Sequence, residues 1–424
     1  MSQSSSPVWH PFTQHGLNEP IPEVVRTEGA VLHTADGRCV IDAISSWWVI
    51  THGHSHPRLQ AAIRRASENF DQIIFAGWTH EPAETLARGL VERTPAALEH
   101  VFYSDSGSTA VEVALKMALG FWSNVGQPRH RIVVMQHSYH GDTIGTMSVG
   151  QRGVFNQAYA PLLFDVVTVP FPGAGTEQAA IDALEAACRL EPRPAAFIVE
   201  PLILGAGGML IYPAWVLKAF AQVCARYGVL LIADEVMTGW GRTGSLFACE
   251  QAEVSPDILC LSKGLTGGAL PLAVTLATAP IFEAHRSTDR SKMFFHSSSY
   301  TANPIACAVA AENLAIWQDE PVMQRIADIG TAQQAGLNRL NGHPALSGHR
   351  RLGTIAAVDF EGAKGGYLSG LGPWLLGFFA DRDLLVRPLG DTVYVMPPYC
   401  IGTSDLDRVW NAIGEAADAV HAGR

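Results

Sequence analysis

Short apolar runs recur between about residues 130 and 280: Ile132–Met135, Ala196–Val199, Val229–Ala233, Ile258–Leu261 and Leu272–Leu276. None alternates with polar residues, so each reads as a strand buried on both faces of a sheet. Between several of them the apolar positions fall at helical spacing, as in Ala214, Leu217, Phe220, Ala221 and Cys224. Buried strands separated by amphipathic helices predict a mostly parallel sheet flanked by helices, an α/β architecture. After Asp319–Pro321 the pattern changes to helices followed by short strands, Ile355–Asp359 and Val393–Met396. The last helix has Ser404 as its expected N-cap and Leu406, Val409, Ile413 and Val420 as its apolar stripe. The expected organisation is a large domain over 61–318 and a smaller α+β domain over 319–424. Residues 1–60 are expected to form an N-terminal segment contributing to the small domain and to the functional site.

With 48% hydrophobic and 16% charged residues, the 424-residue chain is too apolar for a disordered protein and long enough for a substantial core. A net charge of −11 without any basic run argues against nucleic acids and anionic membrane surfaces as partners. No apolar run reaches the roughly 18 residues of a membrane span, and Met1–Thr13 does not have the pattern of an export signal. A soluble, cytoplasmic protein is expected. Seven cysteines, odd in number and never spaced C-x-x-C, read as free buried thiols in a reducing compartment.

In an open parallel sheet, chemistry gathers beyond the carboxyl ends of the strands. The run Val229–Ala233 continues into Asp234-Glu235, and an acid leaving a buried strand needs a cationic or hydrogen-bonding partner to stay charged. The run Ile258–Leu261 delivers Ser262-Lys263-Gly264 to the equivalent place, where burial lowers an amine's pKa toward nucleophilicity. Of the other lysines, Lys116 and Lys218 lie in helical patterns, Lys292 follows a charged stretch and Lys364 sits in a Gly-rich loop. Lys263 is therefore the candidate to form a Schiff base.

The turn Tyr103–Ala110 opens a helix with Val111, Leu115 and Ala118 on one face, and its free amides and hydroxyls suit a phosphate. A plain Ser/Thr N-cap fits that stretch equally well on its own. Together, a carbonyl-reactive lysine, a strand-end acid and an anion cradle are the parts that hold pyridoxal 5′-phosphate. Tyr139, following the strand Ile132–Met135, is the candidate aromatic stacked on its ring. Gly239-Trp-Gly-Arg-Thr-Gly244 matches the dinucleotide-binding spacing, but no helical pattern opens at Gly244 and the strand acid precedes the glycines, so a tight loop is expected. His52-Gly-His54-Ser-His56 has no carboxylate or cysteine beside it and closes on Pro57, which favours a loop over a metal site.

These motifs carry a resemblance. Leu231–Val236, Thr238–Gly244 and Ser262-Lys263-Gly264 stand in the order and spacing of the class III aminotransferases of fold type I, which the chain resembles over nearly its whole length. Trp9–Gln14, Ser45–Trp48 with His52-Gly53, Ser104–Ser108, Tyr139–Asp142, Arg387–Gly390 and Met396-Pro-Pro398 are similar to the branch that aminates 8-amino-7-oxononanoate in biotin biosynthesis. The resemblance implies a homodimer with pyridoxal 5′-phosphate at shared sites. Lys263 would bond to the cofactor and move the proton, Asp234 would face its ring nitrogen, and Tyr139 would stack on the ring. Gly107 and Ser108 would hold the phosphate, with Ser298 and Ser299 supplied by the neighbouring subunit. Phe12, Trp47, Trp48, Tyr139, Ser297 and Arg387 would face the substrates.

A nine-carbon keto acid needs a cation for its far carboxylate and an apolar wall for its chain, which Arg387 with Trp47, Trp48 and Tyr139 could supply. Core packing for the tryptophans and an ion pair for Arg387 are the plainer alternatives. Trp9-His10 and Trp47-Trp48 favour S-adenosylmethionine as donor, whereas Phe12-Thr-Gln14 and Ser298 depart from the adenosylmethionine users, Phe12-Thr-Gln14 resembling the lysine-using branch. Another class III ω-aminotransferase is the alternative activity.

Overall fold

The computed structural model describes residues 6–361 and 370–424, so Lys364 lies outside the described residues. The central sheet has seven strands, in the spatial order Leu98–Ser104, Ala273–Thr278, Ile258–Leu261, Leu230–Asp234, Ala196–Val199, Ile132–Met135 and Val167–Val169. The four apolar runs at its centre are buried at every position. Alternate residues enter opposite cores. Val133, Phe197, Leu231 and Leu259 join the helices Glu81–Val91, Glu177–Cys188 and Ala214–Tyr227 on one face. Ile132, Ile198, Ile232 and Ile258 join the helix Gly107–Asn124 on the other. The strand period of two, with both faces covered, accounts for runs that do not alternate with polar residues.

The sheet is parallel except at Ala273–Thr278, which runs antiparallel to both of its neighbours. That corrects the expectation for Leu272–Leu276. Its link from Ile258–Leu261 contains only the short 3-10 turn Lys263–Thr266, whereas a parallel neighbour needs a crossover of a dozen or more residues. Two edge strands escaped the apolar-run criterion: Val167–Val169 is too short, and Leu98–Ser104 is mostly half-buried or exposed.

A second core lies around the antiparallel sheet Leu346–Leu352, Ile355–Phe360 and Thr392–Val395, covered by the helices Val322–Arg339, Leu371–Ala380 and Thr403–His421. The N-terminal meander Val24–Glu28, Val31–Thr34 and Cys39–Asp42 pairs with Leu384–Leu385 and sends Ile41 and Ala43 into that core. Position 60, an expected boundary, falls inside the helix Pro57–Ser67, and Asp319 closes the helix Pro304–Asp319. The last helix is capped by Gly402, not by Ser404, which sits in its first turn. All seven cysteines are free, but Cys39 and Cys400 are exposed, contrary to the expectation of buried thiols. No helix among the described residues is long and apolar enough to cross a membrane.

Candidate active site

Beyond the carboxyl end of Ile258–Leu261, Ser262 Oγ donates to the Leu272 carbonyl at 2.8 Å, closing the turn. Lys263 then takes a left-handed φ of 48°, a conformation costing a non-glycine residue on the order of 1 kcal/mol, of the kind that gathers at functional sites. Gly264 makes the turn possible: a Cβ there would lie 2.7 Å from Trp240 Cβ. The Lys263 side chain lines the cavity with its Nζ 4.9 Å from the centre of the Trp48 ring. Burial lowers its pKa to about 8, against the opposing pull of Asp234 and Glu200. Lys218 instead pairs with Glu253 at the surface, and Lys116 donates to the Phe295 carbonyl at 2.7 Å.

Asp234 enters the same cavity from the neighbouring strand. Its Oδ2 meets His140 Nδ1 at 2.7 Å, and its Oδ1 accepts from the Val236 amide at 3.1 Å. His140 is the partner this acid requires, yet sequence reasoning passed over it because it comes from 94 residues away. Glu235 takes no part in the cavity. It accepts from the amides of Ala248 and Cys249 at 2.7 and 2.8 Å, and burial pushes its pKa up to about 7. Glu200 does line the cavity, accepting from the amides of Tyr139 and Gly205, both at 3.0 Å, with its pKa also raised to about 7 by burial. Tyr139 presents its ring to the cavity, and its hydroxyl pKa is raised by burial and by Asp142.

The small-residue turn serves both readings given for it. Ser106 is the N-cap of Gly107–Asn124, in a capping box with Thr109. Gly107 and Ser108 are the first two residues of the helix, and their amides have no acceptor within it. Both line the cavity. A Cβ on Gly107 would lie 2.6 Å from Val236 Cγ1, and one on Gly141, at φ 130°, would lie 2.1 Å from Ser108 Oγ. The cradle is thus packed to contact and leaves two amides for a phosphate, so the residues present fit that group. Ser297, Ser298 and Ser299 do not line this chain's cavity; Ser298 Oγ instead donates to Asp105 at 2.8 Å.

At the mouth, Phe12 packs on Trp47 and Phe155, with ring centres 5.6 and 6.2 Å apart. The Arg387 guanidinium lies 5.4 Å from the Trp47 ring centre and donates to the Phe12 carbonyl at 3.3 Å. Among the described residues Arg387 has no ion-pair partner, and it lines the cavity. Trp47 is 44% exposed at the cavity, whereas Trp48 is buried, donates to Tyr394 Oη at 2.8 Å and forms the wall beside Lys263. Trp48 thus packs in the core and lines the cavity as well, whereas Trp47 is exposed there.

The glycine motif is a tight loop, with Trp240, Gly241 and Gly244 at positive φ and no helix opening at Gly244. Its buried Arg242 donates to the carbonyls of Ile50 at 2.7 Å and Pro397 at 2.9 Å, tying the Trp48 region to the second core. The three loop histidines meet separate partners: His52 Nε2 meets Asn313 at 2.8 Å, His54 Nε2 meets Asp42 at 2.8 Å, and His56 Nε2 meets Glu320 at 3.3 Å. Carboxylates are thus near, contrary to expectation, but they arrive from other elements.

A sheet-end lysine, an acid backed by a histidine and a helix-end anion cradle around one cavity define the chemistry of a carbonyl–amine exchange. Residues 13–417 match the family model of the class III aminotransferases, and the chain belongs to that family. It is an aminotransferase of the type I fold. It is 45% identical over 422 residues to adenosylmethionine-8-amino-7-oxononanoate aminotransferase of Synechococcus elongatus, covering 97% of this chain and 99% of the relative. The enzyme of the same name from Anoxybacillus flavithermus is 37% identical, covering 98% and 96%. The crystal structure of adenosylmethionine-8-amino-7-oxononanoate aminotransferase from Methanocaldococcus jannaschii matches at a TM-score of 0.93 and 31% identity, covering 98% and 97% of the two chains. The omega transaminase from Pseudomonas jessenii in complex with PMP matches at 0.91 and 28% identity, covering 97% and 96%.

Proposed function

We propose that this aminotransferase converts 8-amino-7-oxononanoate to 7,8-diaminononanoate in biotin biosynthesis, with pyridoxal 5′-phosphate as cofactor and S-adenosylmethionine as amino donor. The observation that carries the reading is that Arg387, Trp47 and Phe12 line the same cavity as Lys263 and Asp234. The activity for which the 45% identical relative is named supports it. We place the enzyme in the cytoplasm, where its seven thiols stay reduced. It works as a homodimer in which Ser298 and Ser299 reach the neighbouring subunit's site.

The cofactor, when bound, supplies an electron sink for the charge left on a carbon that gives up its proton. Lys263, whose amine is neutral above about pH 8, takes that proton at Nζ and returns it. Asp234, oriented by His140 and the Val236 amide, would face the cofactor's ring nitrogen and favour its protonated form. Gly107 and Ser108 would bind the cofactor's phosphate through their free amides, and Tyr139 would cover its ring. Arg387 pairs with the acceptor's far carboxylate, while Trp47, Phe12 and Phe155 exclude water along its chain. The same aromatic mouth suits the positive charge of a sulfonium donor. One cavity serves donor and acceptor in turn, so the kinetics are ping-pong.

The acceptor assignment is tested by Trp47→Ala and Arg387→Ala. Each should raise KM for 8-amino-7-oxononanoate by about tenfold or more, the size expected for a lost charge-assisted contact or aromatic wall. Steady-state kinetics in which neither variant changes KM would refute the assignment.

A further inference from the structure

The turn that carries Trp47 follows an unfavourable path. Ser45, Ser46 and Trp48 have φ of 55°, 58° and 66°, and no glycine is among them. Left-handed backbone is strained for each such residue, so the surroundings must over-determine it. Asp42, the buried last residue of Cys39–Asp42, lies where it can do so. Its two carboxylate oxygens accept from the Ser46 amide at 2.8 and 2.7 Å, and Oδ1 also accepts from the Ile44 amide at 3.2 Å. Oδ2 accepts from the Ser46 hydroxyl at 3.1 Å and meets His54 Nε2 at 2.8 Å. Ser45 Oγ anchors the turn from the other side, donating to the Met396 carbonyl at 2.8 Å. An ionised carboxylate offers acceptor sites on both oxygens, whereas an asparagine of the same shape keeps only one such oxygen.

We propose that Asp42 is a positioning residue for acceptor specificity: its carboxylate locks the turn Ser45–Trp48, with Ser45, Ser46 and Trp48 at positive φ, in the path that sets Trp47 against Phe12 and Arg387. Asp42 does not line the cavity and acts only through the turn. The proposal rests on the reading of Trp47 as the wall for a long keto acid.

In the cofactor-loaded dimer, Asp42→Asn should raise KM for 8-amino-7-oxononanoate by about tenfold while kcat changes less than about threefold, because the wall is displaced and the proton-transfer groups are not. Adding Ser46→Gly, which accepts positive φ freely, should recover most of the lost KM, a rescue that general destabilisation would not give. Unchanged KM in Asp42→Asn, or a loss that Ser46→Gly leaves in place, overturns the proposal. Should Asp42→Asn fail to fold, hydrogen exchange in the unaltered enzyme decides. The Ile44 and Ser46 amides should exchange slowly, and fast exchange at both overturns the clamp. A wild-type enzyme unable to use this acceptor refutes the functional reading instead, and the same exchange measurement then shows separately whether Asp42 holds the turn.

Discussion

Lys263 differs from an ordinary lysine in one measurable respect, the pH at which its amine becomes a nucleophile. Burial brings that point from 10.5 down to about 8. Below about pH 8 the amine is a cation, and above it is neutral, so the rate of borohydride trapping of a simple aldehyde by cofactor-free protein should rise with pH and level off above about 8. A rate still climbing toward pH 10 would mean that the amine is not desolvated. Lys263 was legible as the candidate from its place after a buried strand. Its surroundings were less so, because His140 approaches Asp234, and Phe12 approaches Arg387, across chain separations that no local pattern encodes. Glu200 ends a buried run just as Asp234 does, and that repeated signal was available.

At the level of elements, the site depends on the start of Gly107–Asn124 and the loop after Ile132–Met135 closing on each other. Gly141 is the contact point, with φ 130° and Ser108 Oγ in the space a side chain would need. Gly141→Ala should displace Ser108 and weaken cofactor binding by about tenfold or more, since both a backbone strain and a steric clash must be relieved. Titration of cofactor-free protein with pyridoxal 5′-phosphate checks this, and an unchanged Kd would remove Ser108 from the cradle. The central strands were readable because burial on both faces leaves no polar residue in them. The direction of Ala273–Thr278 was not, because an apolar run carries no sign of its direction. The N-terminal meander was missed for the same physical reason in reverse: Val24–Glu28 is mostly exposed and offers no apolar run.

For the whole molecule, the decisive feature is that Ser297, Ser298 and Ser299 lie outside the cavity of their own chain. The proposed dimer, with its site completed across a two-fold interface, predicts complementation. Mixing a Lys263→Ala subunit with a subunit carrying Ser298→Ala and Ser299→Ala should give hybrids in which one of the two sites is intact. Random assortment then yields about a quarter of the wild-type sites from two weakly active parents. Activity equal to the average of the parents would show that each chain builds its site alone. The acidic charge and the absence of basic runs, visible in composition, agree with a small-molecule enzyme, but the proposed division of the site between subunits depends on quaternary geometry, which composition does not carry.

The most direct test of the central claim is a half-reaction on purified enzyme loaded with pyridoxal 5′-phosphate. S-adenosylmethionine is added alone and the absorbance of the bound cofactor is followed. Conversion to the pyridoxamine form, reversed on adding 8-amino-7-oxononanoate, is the predicted result and would establish cofactor, donor and acceptor together. An unchanged spectrum with S-adenosylmethionine would contradict the donor assignment, and a pyridoxamine form that 8-amino-7-oxononanoate fails to discharge would contradict the acceptor.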